Sequence, residues 1–279
     1  QQPELELQVV DIYPLGSVLF RLGFKLMNFD IRSVGHEHIP ASGGAVIASN
    51  HVGYLDFCFV ALAPPPPRRR VRFVARREVF THPIAGPLMR GLQQIEADPY
   101  GDRERAIDEG VRKLEAGEVV GIHPEGTISP SFVPRTGKTG AVRMAAAADV
   151  PIVPCAVWGS HRLLTKWRPR NLQRGMPIQV HYGPPFSVTG ADPLRETDDL
   201  MSRITRLLDD AQAAYPEQPQ DEEDRWWLPA HRGGSAPTPE EAERRLKEQH
   251  EQRALRREQE LRHGDTDMDP DSGPSPGNR

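Results

Sequence analysis

The sequence has few cysteines, few aromatic residues and no strong excess of charge of one sign. Its 279 residues include 2 Cys and 6% aromatic residues, and the formal net charge is −4. Cys58 and Cys155 lie in apolar stretches without metal-ligand spacing, which favours reduced thiols in a cytosolic setting. Because the net charge is small, no global electrostatic argument favours a nucleic-acid partner, and we expect none. The composition also excludes a disulfide-rich scaffold.

Long hydrophobic runs are also absent. The most apolar stretch near the start, residues 12–29, is interrupted by Pro14, Arg21 and Lys25, so it does not have the character of a membrane-spanning helix. Its apolar residues recur with helical spacing, which is typical of an amphipathic helix at a membrane interface. We therefore predict that residues 1–35 form a membrane-associating segment. Packing of this helix on the folded domain is the alternative.

The two ends of the sequence are polar. The first residues are acidic, and the apolar run after them has no small-residue cleavage site, so we expect no secretory signal. Residues 216–279 are rich in Pro, Gln, Glu and Arg and are predicted to form a largely disordered tail, with a possible charged helix at 236–261. Trp226 and Trp227 are expected to dock the start of this tail on the domain.

Between residues 36 and 215, short apolar runs alternate with helical patterns. This alternation predicts an α/β fold with a mostly parallel central sheet and helices on both faces. A stiff turn is expected at Pro64–Pro67. Strands are predicted at Ala45–Ala48, Val71–Ala75, Gln93–Ala97, Glu118–Ile122, Ile152–Val157 and Ile178–Tyr182, and helices at Tyr54–Ala63, Arg103–Ala116, Ala141–Ala148 and Leu200–Ala214.

Polar residues follow three of the predicted strands. Asn50, His51 and Asp56 follow the first strand, Arg76 follows the second, and residues 125–127 follow the fourth. Because the carboxyl ends of parallel strands meet at one edge of a sheet, we expect these groups to converge. An aspartate that accepts from one imidazole nitrogen fixes the tautomer of the ring and makes the other nitrogen a general base. The alternative is that both residues are structural, with the histidine at the edge of the core and the aspartate as a helix cap.

Three blocks of this sequence resemble the glycerolipid acyltransferase family, the group that includes 1-acylglycerol-3-phosphate acyltransferases. Asn50–Asp56 (NHVGYLD) matches the Asn-His-x4-Asp block of the family, and His123–Ser129 (HPEGTIS) matches its Pro-Glu-Gly-Thr block. Asp149–Val157 (DVPIVPCAV) matches its Val-Pro-x-x-Pro block, and all three occur in the family's order. The resemblance covers about residues 10 to 215 and makes residues 36–215 the predicted acyltransferase domain.

The resemblance implies transfer of a fatty acyl group from an acyl thioester to the hydroxyl of a lysophospholipid or related lipid in phospholipid biosynthesis. The donor would be acyl-CoA or an acyl carrier protein, and no metal or other cofactor is expected. By match to the motif, His51 is the general base and Asp56 its orienting partner. Residues expected to bind substrate are Asn50, Arg76, Glu125, Gly126, Thr127, Ser129, Arg135 and Lys138.

The sequence departs from the family at two cationic positions. The family's second block usually ends in an acidic residue followed by Arg, but Glu96 is followed here by Ala97. The residue after the Pro-Glu-Gly-Thr block is usually Arg, and here it is Ile128. Arg135 and Lys138 are expected to supply the missing charge. The identity of the acceptor stays open.

Two other functions fit parts of the sequence. A metal-dependent hydrolase could use His51, Asp56, His123 and Glu125 as ligands, although their spacing matches no recognised metal motif. A non-catalytic membrane-surface lipid-binding protein could use the amphipathic start and the arginines near residue 70. The favoured hypothesis is a cytoplasmic acyltransferase held peripherally on the inner face of the cell membrane.

Overall fold

The computed structural model of the chain describes residues 11–63, 69–98 and 101–264. The turn predicted at Pro64–Pro67 and the two ends of the chain lie outside these residues. The helices are α1 (Tyr13–Leu26), α2 (Asp56–Leu62), α3 (Arg77–Thr81), α4 (Ala85–Gly91), α5 (Arg103–Glu115), α6 (Gly140–Ala147), α7 (Pro193–Ala213) and α8 (Pro239–Gly264). The strands are β1 (Asp30–Val34), β2 (Ala45–Ser49), β3 (Val71–Arg76), β4 (Ile95–Ala97), β5 (Val119–Ile122), β6 (Ile152–Trp158) and β7 (Pro177–Tyr182).

The seven strands form one mostly parallel sheet in the order β1-β7-β6-β2-β5-β3-β4. Only the β6–β7 pair among them is antiparallel. β2 lies in the middle and is buried along its whole length, as expected for a parallel strand covered on both faces. The predicted α/β fold with a mostly parallel sheet is confirmed.

Alternate residues of β2 point into two different hydrophobic clusters. Ala45 and Ile47 pack in a cluster with residues of α2, and Phe20 and Phe24 of α1 pack against its margin. Val46 and Ala48 pack in a second cluster with residues of α5, α6 and α7. Because successive side chains of a strand point to opposite faces, helices cover both faces of the sheet, as predicted.

One strand was not expected from the sequence. Residues 30–34 lie inside the predicted membrane-associating segment, but they form β1 and pair in parallel with β7, from Asp30 with Pro177 to Val34 with His181. The amphipathic helix of that segment is α1, which ends at Leu26. No helix in the described ranges is both long enough and apolar enough to cross a bilayer.

The chain divides into two compact units, residues 1–236 and 237–279. The first unit extends beyond the predicted domain end at 215 because Trp227 is buried in a third cluster with Trp158, Leu208 and Tyr215. The expectation that Trp226 and Trp227 dock this stretch on the domain is therefore confirmed. The predicted disordered tail does not begin at 216, since two 3-10 helices, Glu223–Trp227 and Ala230–Arg232, follow that position.

The second unit contains α8, where a charged helix at 236–261 was predicted. A reciprocal pair of hydrogen bonds supports its start. The Thr238 backbone N–H donates to Glu241 Oε2 at 3.1 Å, and the Glu241 N–H donates to Thr238 Oγ1 at 3.3 Å. This arrangement is a capping box, which satisfies two N–H groups that have no partner within the helix.

Candidate active site

The loop between β2 and α2 brings His51 and Asp56 together. His51 Nδ1 lies 2.9 Å from Asp56 Oδ2, and the His51 side chain keeps 19% of its surface exposed. The Val52 and Gly53 backbone N–H groups donate to the same carboxylate oxygen at 2.7 and 2.8 Å. The Nδ1–H of His51 donates to Asp56. The other ring nitrogen, Nε2, therefore carries no proton in the neutral ring and can act as a base.

Asp56 remains a carboxylate although it is completely buried. Burial alone would raise the pKa of Asp56, but the hydrogen bonds from the His51 ring and the Gly53 N–H lower it below the usual value. Its other oxygen, Oδ1, accepts from Ser160 Oγ at 2.5 Å. Four donors therefore hold this carboxylate in one orientation, and the carboxylate holds the His51 ring.

Asn50 acts as a link between strands. Its side-chain amide donates to Val157 O at 3.0 Å and accepts from Val157 N at 2.7 Å, and the residue is fully buried. The amide thus continues the β2–β6 ladder one step beyond Ser49. The contacts of Asn50 position the loop of His51, whereas the sequence predicts a substrate contact.

His123 stacks face to face on His51. The ring centroids are 4.1 Å apart and the planes differ by 2°. His123 Nδ1 lies 3.0 Å from Ser49 Oγ, 3.1 Å from Asn50 O and 3.3 Å from Ser49 O; because the two carbonyl oxygens can only accept, this nitrogen carries the proton. Burial first, and then the proximity of His51, lower the pKa of His123 to about 3. His123 is therefore a neutral ring at physiological pH.

Glu125 joins two loops of the site through its backbone contacts. Its Oε1 accepts from the His51 N–H at 2.8 Å, and its Oε2 accepts from the Arg135 N–H at 3.0 Å. Burial raises the pKa of Glu125 to about 8, although both hydrogen bonds act in the opposite direction. The carboxyl group predicted to bind substrate is thus engaged with the protein.

Residues 126–129 contact two lysines and the backbone of His51. Gly126 has φ +67°, a backbone conformation that favours glycine, and the point where a Cβ would stand lies 2.9 Å from Lys138 Nζ. Thr127 Oγ1 accepts from Lys166 Nζ at 2.6 Å. Ser129 is buried; its N–H donates to His51 O at 2.8 Å and its hydroxyl to Val133 O at 2.6 Å.

Arg76 lies at the carboxyl end of β3, as predicted. Its guanidinium is 3.5 Å from Glu78, and about a third of the side chain is exposed. An apolar slot of about 20 Å³ lies between α1, α2 and β3. Phe73 lines the slot, and its ring centroid lies 5.3 Å from that of His123. Phe73 therefore borders both the slot and His123.

Residues 30–158 match the protein family described as Acyltransferase. This stretch of the chain is therefore similar to that family. The matched range includes β2, α2 and β5 and ends with β6, so it contains His51, Asp56 and the segment from His123 to Ser129.

Proteins similar to this chain include enzymes named 1-acyl-sn-glycerol-3-phosphate acyltransferase. The 1-acyl-sn-glycerol-3-phosphate acyltransferase of Bacillus subtilis is 30% identical over 129 residues, which are 46% of this chain and 63% of that protein. The enzyme of that name from Limnanthes alba is 29% identical over 206 residues, 72% of this chain and 69% of its own length. An uncharacterized Mycobacterium leprae protein is 29% identical, with 38% of its length covered. The chain thus spans less than two thirds of the Bacillus and Mycobacterium relatives.

A solved structure shares the fold of this domain. The 1-acyl-sn-glycerophosphate (LPA) acyltransferase of Thermotoga maritima superposes with a TM-score of 0.60 and 20% sequence identity. The match covers 74% of this chain and 82% of that chain. At this identity the likeness concerns the arrangement of the sheet and helices.

The four residues considered as metal ligands have other partners within the protein. Both oxygens of Glu125 accept from backbone N–H groups, and His123 Nδ1 faces backbone carbonyls. The rings of His51 and His123 meet face to face, so their nitrogens do not converge on one point. Within the described ranges, no group of three or more His, Cys, Asp or Glu is arranged to hold a metal ion.

Two residues of this site carry no motif in the sequence. Ser160 follows β6 and bonds Asp56 across 104 positions, and Lys166 reaches Thr127 across 39 positions. The only sequence signal is the location of Ser160 just after a buried strand, at the carboxyl edge of the sheet. Glycine at 159, with φ +94°, turns the chain there.

Proposed function

We propose that this protein transfers a fatty acyl group from an acyl thioester to the hydroxyl of a lysophospholipid or a related lipid acceptor. The observation that carries the proposal is the His51–Asp56 pair, held at 2.9 Å within the residues that match the acyltransferase family. The names of the Bacillus and Limnanthes relatives support a glycerolipid acceptor. The donor is acyl-CoA or an acyl carrier protein, and the reaction needs no metal or prosthetic group.

In the proposed reaction, His51 Nε2 takes the proton from the acceptor hydroxyl as the oxygen attacks the thioester carbonyl carbon. The new C–O bond gives a tetrahedral intermediate with a negatively charged oxygen. Collapse of this intermediate breaks the C–S bond, and the leaving thiolate takes the proton from His51. Asp56 keeps Nδ1 protonated throughout and stabilises the imidazolium form.

We propose that the reaction occurs at the inner face of the cell membrane. The support is α1, whose residues Leu15, Val18, Leu19, Leu22 and Leu26 are 49% to 62% exposed. An exposed apolar stripe on a helix that also carries Arg21 and Lys25 suits the boundary between lipid headgroups and acyl chains. The same stripe also favours the second candidate function, a non-catalytic lipid-binding protein.

Thiol release from palmitoyl-CoA in the presence of lysophospholipid acceptors tests the proposal. His51→Ala is expected to lower kcat by at least about a hundred-fold because the base is removed. Asp56→Asn is expected to lower kcat strongly as well, since an amide stabilises neither the tautomer nor the imidazolium. The thermal midpoints of both variants and of the wild type provide the control for folding.

Two outcomes would contradict the proposal. Near-normal turnover by folded His51→Ala would exclude His51 as the base. Absence of acceptor-dependent thiol release from the wild type, with acyl-CoA and with acyl carrier protein donors, would favour the lipid-binding function. Flotation of the protein with liposomes then tests that second function directly.

A further inference from the structure

Asp56, the carboxylate that orients the proposed base, has one hydrogen-bond donor from a distant part of the chain. Ser160 Oγ donates to Asp56 Oδ1 at 2.5 Å, whereas the other three donors to this carboxylate all belong to residues 51–53. Ser160 and Asp56 are both completely buried. The Ser160 hydroxyl therefore fixes the carboxylate to the end of β6, outside the loop that carries the base.

The turn that contains Ser160 packs directly on the loop of the base. The point where a Cβ would stand at Gly53 lies 3.1 Å from the carbonyl carbon of Ser160 and 3.1 Å from the N and Cα of His161. The two backbones are thus in close contact at Gly53, whose N–H donates to Asp56. The turn follows Gly159, which has φ +94°, a conformation that favours glycine. The location of the loop of the base therefore depends on the location of residues 160 and 161.

His161 is held by a stretch of the chain that lies beyond residues 30–158, the range of the family match. Its Nε2 donates to Trp227 O at 2.9 Å, and its ring centroid lies 4.4 Å from that of Phe132 and 4.3 Å from that of Trp158. Burial lowers the pKa of His161 to about 4, so the ring is neutral and has one N–H. Because the Trp227 carbonyl can only accept, that N–H is on Nε2.

Arg162 connects the same turn to the same stretch. Its buried guanidinium donates to Tyr215 Oη at 3.1 Å, pairs with Glu217 and lies 4.5 Å from the centroid of the Trp227 ring. A buried charge is costly when it loses its partners, so these contacts specify one position for the turn. Residues 215–227 thus hold both residues that follow Ser160.

We infer that Ser160 is a positioning residue for the base, and that residues 215–227 position Ser160 through His161 and Arg162. The inference rests on the proposed function. Loss of the Ser160 hydroxyl would leave one oxygen of a buried carboxylate without its donor, so the carboxylate and the His51 ring could turn away from the orientation needed for proton transfer. Ser160 is buried and donates within the protein, so its loss should lower kcat and leave KM unchanged.

Ser160→Ala tests the contact with the carboxylate. We expect kcat for thiol release from palmitoyl-CoA with a lysophospholipid acceptor to fall by about ten-fold. This is the lower end of the range for a hydrogen bond to a charged group, because three donors remain. The KM values for acceptor and donor should change by less than about two-fold. Ser160→Cys keeps a weaker donor at the same place, so its kcat should lie between those of Ser160→Ala and the wild type.

His161→Phe tests the link to residues 215–227. It keeps an aromatic ring but removes the donor to Trp227 O, and we expect kcat to fall by about three- to ten-fold with unchanged KM values. If His161 acts through Ser160, the double variant Ser160→Ala with His161→Phe should have nearly the kcat of Ser160→Ala alone. A general loss of folded enzyme would instead multiply the two effects.

Thr197→Val and His181→Phe provide matched controls. Thr197 is buried in α7, and its hydroxyl donates to Pro193 O at 2.6 Å. His181 is buried in β7, and its Nε2 lies 3.3 Å from Gln179 Oε1. These hydrogen bonds lie within α7 and within β7, so each control removes a buried polar group away from the turn. Both controls should keep kcat within about two-fold of the wild type, and thermal midpoints are measured for every variant.

The outcomes separate this inference from the proposed function. If the wild type shows acceptor-dependent thiol release, the proposed function stands and the variants decide the inference. A kcat of Ser160→Ala no lower than that of Thr197→Val overturns the role of Ser160, and multiplied effects in the double variant overturn the link through His161. If Ser160→Ala does not fold, Ser160→Cys replaces it, with an expected fall of about three-fold. If the wild type releases no thiol with any acceptor, the proposed function fails and the inference fails with it.

Discussion

His51 and His123 form a parallel pair of imidazole rings at the centre of the site, and they have different tasks. His51 is held by Asp56 and keeps Nε2 for proton transfer, whereas His123 is fixed by the carbonyls of Ser49 and Asn50. The low pKa of His123, caused first by burial, keeps its ring neutral. A neutral ring next to His51 restricts the tilt of the base without repelling the positive charge that His51 acquires during the reaction.

This arrangement predicts different effects for two substitutions of His123. His123→Phe keeps an aromatic ring against His51, so kcat should stay within about three-fold of the wild type. His123→Ala removes the ring, and kcat should fall by about three- to ten-fold, the size expected for one stacked aromatic contact. Steady-state kinetics measure both, with thermal midpoints as the control. Equal kcat values for the two variants would show that stacking does not position His51.

At the scale of elements, α1 is apolar on two sides. Gly16, Phe20 and Phe24 face the domain, and the Phe24 ring stacks on Phe59 with centroids 4.8 Å apart. The leucine-rich stripe of α1 lies on the exposed side. The two alternatives for the start of the sequence, a membrane helix and a helix packed on the domain, therefore do not exclude each other.

Acidic substitutions in this stripe should weaken membrane binding. We expect the double variant Leu19→Glu and Leu22→Glu to bind anionic phospholipid vesicles at least about ten-fold less tightly, because it loses apolar burial and adds charge repulsion. The control is Ser202→Glu with Thr205→Glu, which adds the same charge at exposed positions of α7. Vesicle co-sedimentation measures the difference. Unchanged binding by the Leu variant would exclude the stripe as the membrane contact.

The elements that could be predicted from the sequence are those with continuous apolar runs. Ala45–Ala48 was expected and β2 ends at Ser49; Ile152–Val157 was expected and β6 ends at Trp158. β1 has no such run, since its residues alternate between exposed and half-buried at the edge of the sheet. The short helices α3 and α4 lie in a connection rich in Gly and Pro, where helical periodicity is too short to detect.

In the site too, a contact between residues close in the sequence could be predicted, whereas contacts between distant residues could not. His51 and Asp56 are five residues apart, so one motif contains both groups that interact. Ser160 contacts Asp56, and Lys166 contacts Thr127, only after the strands have assembled. A single sequence contains no pattern for such contacts. Asn50 and Ser129 illustrate a further difference, because the family resemblance implied substrate contacts whereas their hydrogen bonds lie within the protein.

At the scale of the whole molecule, three buried groups give the stability a pH dependence. The pKa of His161 is lowered to about 4, mainly by burial, and that of His123 to about 3, against an ordinary value of 6.5. Unfolding returns both to ordinary values, so the unfolded chain takes up protons and the free energy of unfolding falls below about pH 6.5. Glu125 acts oppositely. Its stabilising contribution is fully present below pH 4.5 and is lost as the pH rises to about 8.

These opposing contributions predict a maximum of stability between about pH 6 and 7. His161→Phe should flatten the acid side of the curve because it removes one group that takes up a proton on unfolding. It should also lower the stability near neutrality, since His161 Nε2 donates to Trp227 O at 2.9 Å. Thermal midpoints from pH 4 to 9 measure both effects. An acid side as steep as that of the wild type would mean that His161 is not protonated on unfolding.

Glu125 has a consequence for the way loss-of-function variants are understood. Its two oxygens hold the N–H groups of His51 and Arg135, which are far apart in the chain. Loss of this carboxyl would release the loop of the base and the loop near Lys138 together. A genetic screen that scores only growth or product does not separate a defect in acceptor binding from a defect in the assembly of the site. Such a variant would therefore be interpreted as defective in acceptor recognition. The defect would instead lie in the assembly of the site, and it would appear equally with every acceptor supplied.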